Sequence, residues 1–354
     1  MTNKKNTVLS VLGALFAILL VAGWFVGRKV YDRKASNIGR SAELFVYPDA
    51  TWESVTNYII DSCDVRWNAS LRRCIDEVSA DSPLKPGHYK VEAGQTSTAV
   101  ARMLSHGWQT PVKLVLSGTM RLQSGIAKKI SAQMMLDSAD VIMGLRDSAL
   151  LAGLGFTKAN VFSLFIPDTY EVLWTESMPE ILARQKKAYD AFWSDENKKK
   201  AETQGLTQAE VAILASIVKG ETNYEPEMPK IAGAYLNRLR KGMKLQADPT
   251  IAYCYNYTLN RILKKHLSVD SPFNTYLHKG LPPAPICVPT KACLEAVLNP
   301  DTADGYIYFC ANSNFDGTHS FASSYTEHLK NARSFQRALT VKQKEAKAAK
   351  ASAK

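Results

Sequence analysis

Among the 354 residues, one carboxylate stands where helix geometry could tune it for acid chemistry. Leu214, Ile217, Val218 and Glu221 follow an i, i+3, i+4, i+7 spacing, so the Glu221 carboxyl continues an apolar stripe on one helix face. It also falls at the C-terminal end of that helix, where the macrodipole is negative. Desolvation and the dipole both disfavour the charged form, and a carboxyl raised in this way can hold a proton near neutral pH and donate it. Cleavage of a glycosidic bond requires such a donor at the leaving oxygen. The bland alternative is a helix-end glutamate turned to solvent or paired with Arg238 or Lys219.

The elements that must position this residue are readable on both sides of it. Thr207-Gln-Ala-Glu210 matches a capping box, and the helix it starts runs through Val211–Val218 to Gly220-Glu221-Thr222. A second helix is expected from Pro229, with Ile231, Tyr235 and Leu239 along one side. Upstream, residues 116–205 read as mostly helical and include the aromatic-flanked turn Phe165-Ile-Pro-Asp-Thr-Tyr-Glu171. Short strands at Glu43–Tyr47, His88–Val91 and Val112–Leu116 alternate with short helices, which suggests a small α+β module over 43–115. The run Thr7–Gly27 carries no charge over 21 residues and predicts a membrane-spanning helix at 7–27, favoured over a cleaved signal because no small-x-small pattern follows before Arg28. Residues 1–6 then form a short cytoplasmic tail, 28–42 a polar linker, and 341–354 a basic flexible tail.

Charge excludes one class of partner. The formal net charge is +11, yet residues 1–40 hold seven Lys/Arg against Asp32, and 341–354 hold five Lys against Glu345. The folded middle is nearly neutral, which argues against nucleic-acid binding. The six cysteines form no C-x-x-C pair; Cys63 and Cys74 are the first pairing to consider for a disulfide, against the reading that all six are small buried hydrophobes. The histidines of the C-terminal half, His266, His278, His319 and His328, have no common metal-site spacing, and neither metal nor cofactor is expected.

From Glu221 onward the chain resembles the endolytic murein transglycosylase family, the YceG-like lytic transglycosylases. The matching segments are Leu214-Ala-Ser-Ile-Val with Glu221-Thr222, Asn237-Arg-Leu with Gly242-Met243, Leu245-Gln-Ala-Asp-Pro-Thr250, Ser271-Pro-Phe-Asn-Thr-Tyr276, Gly280-Leu-Pro-Pro283, and Tyr308-Phe with Gly317, His319-Ser-Phe321 and Glu327-His328. Their order and spacing agree over about 206–340, taken as the catalytic core, and the turn at 165–171 resembles a further motif of the family. The resemblance implies an α+β architecture of membrane helix, small LysM-like module and helix-rich catalytic domain with a few strands. It places the catalytic glutamate on Glu221. It further implies endolytic cleavage of the MurNAc–GlcNAc bond of nascent strands: Glu221 protonates the glycosidic oxygen, then helps the muramic C6 hydroxyl attack C1, leaving a 1,6-anhydro end and limiting strand length. Ordinary glycosidases use two carboxylates where this reaction uses one. Asp248 and Glu327 are the nearest second acids, Asp248 reading more readily as a turn or cap residue. Gln246, Asn274, Tyr276 and His319 are the expected sugar-binding side chains.

The same resemblance implies peptidoglycan strands as substrate, wall-synthesising polymerases (penicillin-binding proteins) as partners, and an inner-membrane, single-pass placement with the catalytic domain periplasmic. Arg28, Lys29, Arg33 and Lys34 would by themselves put the bulk of the chain inside, although long C-terminal domains translocate with less regard to such charges. Two departures from the family pattern are visible. Lys219 stands where many members have a second acid, and Ala284, Val288 and Thr290 replace residues of a loop expected to line the cleft. A hydrolytic muramidase and a non-catalytic glycan-binding scaffold are the rival functions.

Overall fold

The computed structural model describes residues 2–352, with side chains from 11 to 346. The chain divides into two compact units, residues 1–113 with 171–176, and residues 114–170 with 177–354.

In the first unit, α1 (Thr2–Lys34) includes the stretch Val11–Lys34, whose most apolar 18-residue window has a mean hydropathy of 2.0 and is unburied, long and apolar enough to cross a bilayer. The helix outlasts the expected span because its C-terminal end is docked. Asp32 is buried, accepts from Ser70 Oγ at 2.5 Å and pairs with Arg73 at 2.8 Å. Asn37, expected in a polar linker over 28–42, is instead fully buried; its amide group accepts from Trp67 N at 2.8 Å and donates to Ser97 Oγ at 2.8 Å. Ile38 joins the core beside it. Strand β1 (Ala42–Val46) is followed by α2 (Trp52–Ser62), α3 (Asn68–Ser79), β2 (Gly87–Val91) and α4 (Ser97–His106). β1 and β2 pair antiparallel from Ala42↔Val91 to Val46↔Gly87. The six thiols are free. The Cys63–Cys74 bridge is therefore not formed: Cys63 is fully buried at the end of α2, and Cys74 Sγ lies 3.6 Å from Thr98 Oγ1, each thiol packed as a small hydrophobe.

Strand β3 (Val112–Val115) carries the chain out of the first unit and β4 (Thr169–Val172) carries it back. The module expected at 43–115 thus takes in residues outside that range, since a segment of the middle region belongs with it. Between these strands lie α5 (Gln123–Ser131), α6 (Ser138–Arg146) and α7 (Ser148–Gly153).

The rest of the second unit is built around one helix. After α8 (Met178–Phe192) and α9 (Asp195–Gln204), α10 (Gln208–Glu221) starts at the expected capping box: Glu210 N donates to Thr207 Oγ1 at 3.2 Å, and Thr207 N donates to Glu210 Oε2 at 2.8 Å. Every residue from Val211 to Val218 is buried, so α10 is buried on all sides over this stretch and forms the centre of the core. It is flanked by α11 (Met228–Arg240), with Pro in its first turn, by α12 (Asp248–Cys254), and by α13 (Lys291–Leu298). A Cβ on Gly220 would lie 2.4 Å from the Pro249 Cβ, so this glycine lets α12 approach the end of α10. A hairpin of β5 (Tyr308–Ala311) and β6 (His319–Ala322) follows, registered from Tyr308↔Ala322 to Ala311↔His319. The last helix, α14 (Tyr325–Ser352), runs through residues 341–352 of the basic tail expected at 341–354; the alanine and lysine of that stretch are strong helix formers. Residue 1 and residues 353–354 of the expected tails lie outside the described residues.

Candidate active site

Glu221 is the last residue of α10, half-buried, at the junction of two cavities. The first has a volume of about 380 Å³, and its walls include Tyr235, Arg238, Gln246, Asp248, Tyr276 and His319. Within it the Tyr235 hydroxyl donates to Glu221 Oε1 at 2.5 Å. Burial raises the Glu221 carboxyl from 4.5 to about 7; the Tyr235 hydrogen bond opposes the rise and the charge of Asp248 adds to it. Burial and the same carboxyl push the Tyr235 phenol well above its ordinary value, so it stays a neutral donor.

The bland alternatives for Glu221 are not realised. Arg238 is buried and committed elsewhere: its Nε donates to Ile307 O at 2.8 Å, and its other nitrogens donate to Leu245 O and, at 3.4 Å, to Gln246 Oε1. Its guanidinium also lies 5.4 Å from the Tyr308 ring centroid. Lys219 Nζ donates to Asn223 Oδ1 at 2.5 Å. Neither cation forms a salt bridge with Glu221 among the described residues, and such a bridge would have held the carboxyl in its charged form.

Three of the four expected sugar-binding residues line this cavity. Gln246 has a positive φ of 50°, which turns the chain between α11 and α12, and its backbone N–H donates to Thr275 O at 3.1 Å. The Tyr276 hydroxyl donates to Asp248 Oδ1 at 2.6 Å. His319 is held twice by Glu227: its backbone N–H donates to Oε1 at 2.9 Å, and its Nδ1 lies 2.9 Å from Oε2. Asn274 is the exception. It is fully buried, its amide nitrogen donates to Leu267 O at 3.0 Å and Val269 O at 2.8 Å, and its oxygen accepts from Tyr276 N at 2.9 Å. With both ends of its amide spent on backbone, Asn274 shapes the loop that carries Tyr276 and has nothing left to offer a sugar.

Asp248, weighed as a turn or cap residue, is the first residue of α12 but caps nothing, since the N-cap is Ala247 and makes no side-chain cap bond; Asp248 lines the cavity instead. Glu327, the other second acid considered, is exposed on α14, with Oε2 accepting from Ser323 N at 3.4 Å, and is absent from the cavity wall. Tyr235 and Glu227 were missed as functional side chains. Tyr235 fell on an apolar helix side, and nothing in spacing revealed that its hydroxyl reaches the end of the neighbouring helix. The substituted loop at 284–290 is packed down: Ala284 and Val288 are buried, Ile286 N donates to Ser216 Oγ at 3.0 Å, and Thr290 caps α13. No cluster of three or more metal-ligating side chains occurs among the described residues.

The sequence matches the YceG-like family over residues 45–334. The chain belongs to that family. A segment of 155 residues is 36% identical to the endolytic murein transglycosylase of Bacillus subtilis, covering 44% of this chain and 41% of that protein. A segment of 174 residues is 28% identical to the endolytic murein transglycosylase of Streptococcus pneumoniae, covering 47% and 30% respectively. The chain therefore spans well under half the length of these curated relatives. Its fold is similar to the crystal structure of a YceG-like protein from Listeria monocytogenes, with a TM-score of 0.55 and 25% identity over 82% of this chain and 98% of that one.

Proposed function

We propose that this YceG-like protein is an endolytic peptidoglycan lytic transglycosylase in which Glu221 serves first as acid and then as base. The observation that carries the reading is a carboxyl raised to about 7 at the wall of a polar cavity, with a neutral hydroxyl as its hydrogen-bonding partner. Near neutral pH a large share of Glu221 holds its proton, which it delivers to the glycosidic oxygen between MurNAc and GlcNAc. The C–O bond breaks with charge developing at the muramic C1. The Glu221 carboxylate then takes the proton of the C6 hydroxyl as that oxygen closes on C1, giving the 1,6-anhydro end and regenerating the acid. Tyr235 holds the carboxyl in place through both steps. Gln246, Tyr276 and His319 flank the sugars, and the names of the Bacillus and Streptococcus relatives support the substrate class.

The apolar α1 serves as a single-pass anchor in the inner membrane, with the catalytic unit periplasmic, where strands leave the penicillin-binding proteins that make them. The β-α-α-β order of β1, α2, α3 and β2 supports a LysM-like reading of the first unit.

One observation favours the hydrolytic alternative. Asp248 shares the cavity with Glu221, and a second carboxylate is what a muramidase would use to direct water. Mass spectrometry of the products separates the two, since an anhydro end is lighter than a reducing end by one water. The parent protein is expected to yield anhydro ends, and Glu221→Gln is expected to yield none while still binding strands. Reducing ends from the parent would establish hydrolysis, and unaltered cutting by Glu221→Gln would remove Glu221 from the reaction.

A further inference from the structure

The second cavity, with a volume of about 580 Å³, shares Glu221 with the first but has a different electrostatic character. Two cations line it, Arg121 and Lys219. The Arg121 guanidinium lies 4.9 Å from the centroid of the Tyr257 ring, and that tyrosine is itself fixed by donating to Ile286 O at 2.6 Å. The segment leading into Arg121 is pinned by Val288 N donating to Met120 O at 3.0 Å. Lys219 lies on α10 two residues before Glu221 and donates to the neutral Asn223 amide oxygen. Among the described residues neither cation forms an ion pair. Two acids line the cavity. Glu221 is raised to about 7, and Asp316 already accepts from the Thr318 hydroxyl at 2.6 Å and from its N–H at 2.9 Å. In the first cavity the Arg238 cation is already committed, its nitrogens donating to Ile307, Leu245 and Gln246.

Two ordered cations left without counter-charges beside a proposed catalytic acid fit an anionic group on the substrate. The sugar rings of a peptidoglycan strand are neutral. Its anions are carboxylates hung from the muramic lactyl group, either those of an attached peptide or the lactyl carboxylate itself once the peptide is removed. We infer that Arg121 and Lys219 form a carboxylate subsite for the substituent of the muramic residue being cut, so that strand is seated with this substituent in the second cavity. The inference rests on the proposed lytic activity for its substrate class. The guanidinium supplies the planar donor fork and the lysine a mobile point charge.

The test measures binding by the full-length chain in detergent, on the Glu221→Gln background so that nothing is cut. Three probes are used: peptide-bearing glycan strands, the same strands stripped of peptide by an amidase, and a neutral chitooligosaccharide. Arg121→Gln and Lys219→Gln are each expected to weaken binding of a carboxylate-bearing probe about tenfold, with the difference shrinking at high salt, and to leave the chitooligosaccharide unchanged. Loss confined to peptide-bearing strands assigns the subsite to peptide carboxylates, and loss on stripped strands assigns it to the lactyl carboxylate. Equal loss on all three probes, or no loss on either carboxylate-bearing one, overturns the subsite. Cutting by the parent chain is scored separately. Anhydro products with unaltered binding by both variants would sink the subsite alone, whereas a parent that cuts nothing would sink the catalytic reading.

Discussion

The Tyr235 hydroxyl and the Glu221 carboxyl meet at 2.5 Å across two adjacent helices, and this contact sets how far the acid is raised. Burial drives Glu221 up to about 7, while a donated hydrogen bond favours the ionised form and restrains it. Removing the donor in Tyr235→Phe should therefore raise Glu221 further. A hydrogen bond to a charged group is worth roughly 1.5–3 kcal/mol and a pKa unit about 1.4 kcal/mol, so the rise is about one unit or more. The pH–rate profile of strand cleavage between pH 5 and 9 checks this. Its alkaline limb, assigned under the proposed mechanism to loss of the proton from Glu221, should move upward while the plateau rate falls, because the carboxyl loses a fixed partner. An unmoved limb would show that another group sets it.

The same raised carboxyl makes a prediction about stability. Its folded pKa lies above the ordinary value, so below pH 4.5 both folded and unfolded chains carry the proton and the group contributes no penalty. As pH rises from 4.5 the unfolded chain gives up its proton first, and a penalty on folding grows until about pH 7, where it reaches at most about 3 kcal/mol. Glu221→Gln removes it. Melting temperatures of variant and parent should be close at pH 4 and should diverge toward pH 7.5, with the variant the more stable. A constant difference across that range would mean that the carboxyl titrates normally.

Gly220 ties the proposed active site to packing. A methyl group there would sit 2.4 Å from Pro249 Cβ and 2.8 Å from its Cγ, on the helix that begins with Asp248. Gly220→Ala must push α12 away from the end of α10, shifting Asp248 and the Tyr276 hydroxyl bonded to it relative to Glu221. Overpacking of this kind costs about 1–3 kcal/mol, while displacement of the acid's surroundings by even a fraction of an ångström should lower kcat roughly 10- to 100-fold. Far-ultraviolet circular dichroism and kcat measured together check it, the expectation being a folded protein with most of its activity gone. Full activity would mean that Pro249 yields without carrying Asp248.

The legible parts of this molecule were those governed by local rules. The capping box at Thr207 and Glu210 and the proline-opened α11 depend on residues within a turn or two of each other, and each forms as its spacing requires, while the stripe leading to Glu221 proves to be part of a helix buried on every side. What stayed hidden depends on residues far apart in sequence. Asn37 looked like part of a polar linker because its partner Ser97 lies 60 residues away. The return of residues 171–176 to the first unit leaves no mark in the periodicity of the middle region. At the site, Glu221 was identifiable because desolvation and helix position act along its own helix. Tyr235 and Glu227 were not, since the value of each lies in a hydrogen bond to another element. The spacing of Asn274 and Tyr276 placed both in one loop but could not tell which side chain faces inward.

Asn274 offers the sharpest separation of a structural from a binding role. If its amide held a sugar, Asn274→Ala would raise KM and leave the melting temperature alone. The geometry demands the reverse. Truncation strands the carbonyls of Leu267 and Val269 and the N–H of Tyr276, all of which the amide satisfies at 2.8–3.0 Å. A buried polar group left without its partner costs about 1–3 kcal/mol, and these three share one cavity of side-chain size into which some water can relax. A net loss on the order of 3 kcal/mol follows, or roughly 6–12 °C in melting temperature for a unit of this size. Asn274→Asp is the informative companion. It keeps the acceptor for Tyr276 N and loses both donated bonds, so it places a carboxylate against two carbonyl oxygens and should be no more stable than the alanine variant. Thermal melts monitored by circular dichroism, with KM measured well below the transition, decide the matter: an alanine variant that melts with the parent but binds strands weakly would return Asn274 to the cleft.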